Sequence, residues 1–124
     1  MGIFNTLMGN ATHIDENKAQ EELQGILFEG EKVEFAFSYV RDIILFTTSR
    51  LIFVDKQGVT GKKECFESIP YRSIIRFSVE TTGRFDTDSE LKFWVSGASE
   101  PIEKTFAGNK NIMNMQKFLA KKVC

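Results

Sequence analysis

The sequence is poor in the residues that most often brace a small protein covalently or carry its chemistry. Its 124 residues include two Cys, one His, two Pro and one Trp. Cys65 lies in a strand-like stretch and Cys124 is the last residue, so no disulfide framework is expected. A single His13, with no second His and no clustered Cys, gives no zinc ligand set. It also leaves a Ser-His-Asp or Cys-His nucleophile without a well-placed base. No paired carboxylates mark a cleft, so neither an enzyme nor a bound cofactor or metal is expected. No apolar run approaches the roughly 18 residues of a membrane-crossing helix. Met1 to Thr6 has no basic region followed by a long apolar run, so no secretory leader is expected; Gly2 with Thr6 matches the short myristoylation pattern. The expected location is the cytoplasm, with a peripheral place at a membrane as the alternative. Lys plus Arg number 16 against 17 Asp plus Glu, a net charge of −1, which excludes a strongly basic nucleic-acid binder.

What is abundant is phenylalanine, twelve in all. Two readings compete: a β-rich core, or an aromatic cage around a ligand. Position along the chain favours the core. Residues 1–12 read as a flexible lead-in. Asp15 or Thr12 can cap a helix over 15–29, in which Ala19, Leu23, Ile26 and Leu27 recur at helical spacing and Gly30 ends the run. From Val33 the period falls to two: Val33, Phe35, Phe37 and Tyr39 alternate with Glu34, Ala36 and Ser38. Ile43 to Thr47 and Leu51 to Val54 are apolar on both faces, which suits short strands. Further strands follow at Lys63 to Ile69, at Ile74 to Glu80 with Ile75, Phe77 and Val79 inward, at Leu91 to Val95, and at Ile102 to Phe106. Asn109 is a good N-cap for a helix over 109–122 with an apolar stripe of Ile112, Met115, Phe118 and Leu119. The whole chain therefore reads as one domain: a helix, seven short antiparallel strands over 33–106, and a second helix.

That order resembles the pleckstrin-homology-like fold, and most of all the short bacterial pleckstrin-homology-like proteins. The resemblance is carried by Thr48-Ser49-Arg50-Leu51-Ile52-Phe53-Val54-Asp55-Lys56-Gln57-Gly58, by Gly61-Lys62-Lys63, and by Ser68-Ile69-Pro70-Tyr71-Arg72-Ser73-Ile74. Phe77 to Gly83 and Glu90 to Gly97 continue it, so that it spans about residues 15–122. It implies a mainly β (α+β) barrel of seven antiparallel strands in two near-orthogonal sheets, capped by the C-terminal helix, with the N-terminal helix as an addition. It also implies a protein that is not an enzyme and that can assemble into symmetric oligomers.

Candidate sites follow from charge. Phosphoinositide-binding relatives carry several bases around the first hairpin, but Tyr39 to Ile43 has one Arg beside an acid. Arg41, Lys56, Lys62 and Lys63 form at most a modest basic rim, the basis of an alternative reading as an anionic-lipid binder; the plainer reading is solvated strand ends. Gly58 to Lys63 resembles a phosphate loop but has the wrong glycine spacing and precedes a strand. Asp86 to Glu90 lacks the Gly and closing Glu of a calcium loop. Trp94 faces away from Phe93 and Val95, and is either an exposed interface residue or a ring lying under the N-terminal helix. Residues 15–34 hold seven acids and two bases, whereas 104–124 hold five Lys and no acidic side chain. Two solvated helices would account for this. The functional reading is a homo-oligomer in which Glu21 and Glu22 of one copy meet Lys117 and Lys121 of the next.

Overall fold

The structure, a computed structural model, describes residues 10–38, 42–57, 63–81, 89–106 and 112–124. Residues 1–9, with Gly2 and Thr6, and Tyr39 to Arg41, Gly58 to Lys62, Asp86 to Asp88 and Asn109 lie outside the described residues. The seven expected strands are β2 (Val33–Ser38), β3 (Asp42–Thr47), β4 (Arg50–Gln57), β5 (Lys63–Pro70), β6 (Ile74–Glu80), β7 (Ser89–Val95) and β8 (Ile102–Phe106). β2 to β5 form one antiparallel sheet and β6 to β8 another. An eighth strand, β1 (Asn10–His13), runs antiparallel to β2 and parallel to β8 and so joins the two. The strand order is β5-β4-β3-β2-β1-β8-β7-β6, which leaves β5 and β6 as edges.

β1 corrects the reading of 1–12 as a flexible lead-in, because 10–12 belong to the sheet. Its place depends on backbone hydrogen bonding in the seam between two sheets, which four residues without apolar alternation do not advertise. The N-terminal helix is also shorter than 15–29. α1 (Glu16–Glu22) is capped by Asp15, whose carboxylate accepts from Asn17 N–H at 3.0 Å. Tight turns follow, with Ile26 N–H on the Leu23 carbonyl and Leu27 N–H on that of Gln24. Gly25 weakens helix continuation here. Gly30, at φ +92°, takes a left-handed conformation that favours Gly and turns the chain into β2.

Two clusters fill the protein, one on each face of the first sheet. Phe37, Ile44, Phe46, Leu51, Phe93, Phe106 and the stripe Ile112, Met115 and Leu119 of α2 (Ile112–Val123) lie between the sheets. Ala19, Val33, Ala36, Leu45, Ile52 and Val54 lie on the opposite face, beneath α1 and its turns. This explains why Ile43 to Phe46 of β3 and Leu51 to Val54 of β4 are apolar in an unbroken run: both faces are covered. Rings of Phe35, Phe37, Phe46, Phe106 and Phe118 meet edge to face at 4.6–6.4 Å, a packed core with no cage.

Two bulges upset simple alternation. A register shift between Val33 and Phe35 puts Val33 with Ala36 on the α1 side and Phe35 and Phe37 on the other. Another, between Ile74 and Arg76, buries Ile74 and turns Ile75 outward, 68% exposed, against the expectation that Ile75 points inward with Phe77 and Val79.

One buried polar cluster ties α1's turns to the sheet. Glu31, 2% exposed, accepts from Arg50 Nε at 2.9 Å and Nη2 at 3.0 Å, a two-pronged ion pair. Thr47 Oγ1 donates to the same carboxylate at 2.6 Å and accepts from the Ser49 and Arg50 N–H groups. Arg50 also donates to the Ile26 carbonyl (2.6 Å) and to Ser68 Oγ (2.7 Å). Gln20 donates to the Glu31 carbonyl and accepts from Val33 N–H. On the other side of the hairpin, Tyr71 donates its hydroxyl proton to the Thr47 carbonyl at 2.7 Å, and Lys122 of α2 donates to that of Thr48 at 2.8 Å.

Burial alone would raise the Glu31 carboxyl. Hydrogen bonds from Arg50, Thr47 and Phe28 N–H, with the attraction of the guanidinium, outweigh it and hold the group below its ordinary value of 4.5. Its hydrogen bond to Glu31 raises Arg50 in turn. Burial, reinforced by Glu34 and Glu31, raises Tyr71.

Arg50→Ala leaves a buried carboxylate without its partner and should cost about 3 kcal/mol, lowering Tm by roughly 10 °C in a thermal melt. Because the carboxyl of Glu31 is depressed in the folded state, its contribution is present above the unfolded value and lost as pH falls through the folded one. The stability gap between wild type and Glu31→Gln should therefore be widest above pH ~5 and shrink on acidification. A gap constant from pH 7 to pH 3 in denaturant titrations would contradict the assignment.

Candidate functional site

Glu31 and Tyr71, whose acidities the fold shifts, are consumed by the structure: each is buried and bonded to the β3–β4 hairpin. The surface is where recognition chemistry is left, and it offers three regions.

The first is the mouth of the β structure. Asp42 and Asp55 stand directly opposite each other across β3 and β4, and Asp55 pairs in turn with Cys65 on β5. With Glu67, Lys104 and Phe53 they line a cleft of about 200 Å³. Lys104 lies 5.5 Å from the Phe53 ring centre, its stem covering apolar surface. The cleft lining holds three acids and one Lys among the described residues. Of the predicted basic rim, Arg41 and Lys62 lie outside the described residues, and Lys56 and Lys63 are placed by backbone only, at the adjoining ends of β4 and β5. Cys65 and Cys124 are both free and exposed. Among the described residues, no group of three or more His, Cys, Asp or Glu could hold a metal ion, and no helix is long and apolar enough to cross a membrane.

The second region is the outer face of β6 to β8. Trp94 is half-buried there. It does not lie under α1, which covers the other sheet. Instead Arg76, its register partner on β6, stacks 4.1 Å from the ring centre, with Lys92 Nζ at 5.9 Å from it. Lys92 also reaches Glu103 of β8 at 3.9 Å, an exposed pair of small energetic weight.

The third region comprises the two helices. α1 sits on the outer face of the first sheet, with Glu21 and Glu22 exposed. α2 closes the space between the sheets, packing on β6 and the turn Tyr71–Ser73 and, through Phe118, on Phe35 and Phe46 of the first sheet's inner face, with Lys117 and Lys121 exposed. The predicted acid and base sets are therefore held on opposite sides of one sheet and are not brought together within the chain. Beside α1 a groove of about 290 Å³ opens between its turns and β5. Charge counting missed this groove. Its one signal was Phe66 on a strand whose neighbours Glu64 and Glu67 are charged; Phe66 is 44% exposed.

The Bacterial PH domain family matches residues 2–123. The chain belongs to this family. It is 60% identical over 121 residues to the uncharacterized protein YjqA of Bacillus subtilis (strain 168), covering 97% of each chain. A DUF1696 family protein with a pleckstrin-homology domain from Shewanella loihica superposes with a TM-score of 0.81 at 40% identity, over 94% of this chain and 99% of that one. A pleckstrin-homology domain from Shewanella amazonensis gives 0.68 at 46% identity, over 99% of both chains. The resemblance seen in the sequence thus holds, and with it the fold: two antiparallel sheets, a C-terminal helix and an additional N-terminal one.

Since Trp94 is the chain's one Trp, its cover is directly readable. Arg76→Ala should red-shift Trp94 emission and raise its quenching by acrylamide, while changing stability by less than about 1 kcal/mol. Unchanged quenching would mean that the guanidinium does not shield the ring in solution.

Proposed function

We propose that this bacterial PH domain is a non-enzymatic interaction module that assembles with copies of itself through its oppositely charged helices. The observation that carries this reading is the placement of acidic α1 and basic α2 on opposite faces of the first sheet. Among the described residues, Glu21, Glu22, Lys117 and Lys121 make no ion pair. Separated by a sheet, the two sets cannot neutralise each other within one chain. Between chains they can, and the contact is then head to tail: each copy offers one acidic and one basic surface. Such a contact closes into a ring or continues as a filament, and opposite charges speed encounter and fix register more than they add raw affinity. The non-enzymatic part is supported by the groups of perturbed acidity, which are spent on hydrogen bonds that hold the fold.

Sedimentation velocity at micromolar concentration should show a defined oligomer that dissociates near 1 M salt, where the Debye length is about 3 Å. Lys117→Glu with Lys121→Glu should be monomeric, as should Glu21→Lys with Glu22→Lys. Mixing the two should restore assembly, since each acid set then meets a base set. A wild-type monomer at every concentration, or variants of wild-type size, would refute the proposal.

A further inference from the structure

β6 ends the strand order, so among the described residues no strand pairs with its outer side. An edge of this kind presents a row of backbone N–H and C=O groups that can take up a further strand. The opposite edge, β5, carries Glu64 and Glu67 and stops at Pro70. β6 has no Pro and opens on bases.

The bulge between Ile74 and Arg76 gives this edge its character. The extra residue, Ile75, has no register partner and is turned out to 68% exposure. From Arg76 onward the register is regular: Arg76, Phe77, Ser78, Val79 and Glu80 pair one to one with Trp94, Phe93, Lys92, Leu91 and Glu90. The unbroken edge is thus close to the common strand length of about 5–6 residues. Side chains alternate along it. Phe77 and Val79 are partly buried against the core between the sheets, whereas Arg76 and Ser78 are exposed on the other face.

Arg76 has the geometry to hold a carboxylate. Its guanidinium lies 4.1 Å from the Trp94 ring centre, and that stack restrains its plane. Among the described residues it makes no hydrogen bond or ion pair, so its donors stay open in a planar fork that matches a carboxylate. Arg72, exposed in the turn that leads into β6, is likewise unpaired among the described residues. Glu80 stands at the far end of the strand. The edge is therefore basic where it begins and acidic where it ends.

We infer that the β6 edge takes up an extended, acidic segment of another protein as an added strand, with a carboxylate on Arg76 and apolar side chains beside Phe77 and Val79. Backbone groups supply the ladder, and the alternating side chains supply the selectivity. Charge sets the direction. Antiparallel addition, the arrangement of β6 to β8, places acids at the segment's C-terminal end beside Arg76 and Arg72 and keeps its uncharged N-terminal residues beside Glu80. The inference is independent of the assembly through Glu21, Glu22, Lys117 and Lys121.

The probe is the peptide Thr-Val-Thr-Val-Glu-Val-Glu, blocked at both ends and added to the full chain. Trp94, the chain's one Trp, lies beside the contact and should report a saturable change in emission. Calorimetry should return the same affinity without relying on the ring, and β6 amides should gain protection from hydrogen exchange. Arg76→Gln should weaken binding more than tenfold, and Ile75→Ser by a smaller factor. Both positions are exposed, so circular dichroism should report an intact fold. A peptide with Lys for both Glu should not bind. Nor should one with Pro-Pro in place of the central Thr-Val, which removes ladder donors while keeping the charge. No saturation up to about 1 mM, equal affinity for the Lys or Pro peptide, or an Arg76→Gln variant that binds like wild type would overturn the inference. A Trp94 response to phosphatidylglycerol vesicles with none to the peptide would also overturn it and assign this face to a membrane. Protection of β6 that rises with protein concentration in the absence of peptide would overturn it too, and assign the edge to a second copy.

Discussion

The ion pair of Glu31 with Arg50, completed by the Thr47 hydroxyl, is the interaction from which the arrangement of this protein follows. A carboxylate 2% exposed is tolerable only when its oxygens are well supplied with donors. Arg50 supplies two, Thr47 one and Phe28 N–H another. The same guanidinium holds the Ile26 carbonyl and Ser68, so the turns after α1 are fixed to β4 and β5 at once. Apolar contact of Ala19 with the sheet face would hold α1 in place, but it has little direction of its own; the polar cluster sets the register.

That cluster sits at the β3–β4 hairpin, and the C-terminal part of the chain is anchored to the same few residues. Tyr71 bonds to Thr47, Lys122 to Thr48, and the Phe118 ring packs on Tyr71 at 5.7 Å. One hairpin therefore fixes an acidic helix on one side of the sheet and a basic helix on the other. The charge asymmetry becomes a directional property of the surface, which is what head-to-tail association requires.

Much of this could be read from residue order, and where it could not the reasons are physical. Strand positions were legible because Ile43 to Thr47 and Leu51 to Val54 are short, apolar and rich in branched and aromatic residues. Their two-faced burial was visible as well, and the cover over the second face was the predicted helix. Val33 does not share a face with Phe35, nor Ile75 with Phe77, since a bulge adds one residue and reverses alternation without leaving a mark in side-chain pattern. β1 was missed because it is held in a seam by its backbone. The Glu31–Arg50 pair joins residues nineteen apart, and neither looks unusual in a chain with 33 charged residues. Glu21, Glu22, Lys117 and Lys121 could be picked out by local charge density. Their separation by a sheet, and the groove between α1 and β5, are properties of tertiary packing alone.

The most direct test of this account is hydrogen exchange on Arg50→Ala. If Arg50 is the pin that holds α1 and its turns, amides of residues 16–31 should lose protection selectively, while β6 to β8 keep theirs. Equal loss across both sheets, or unchanged protection at 16–31, would contradict it.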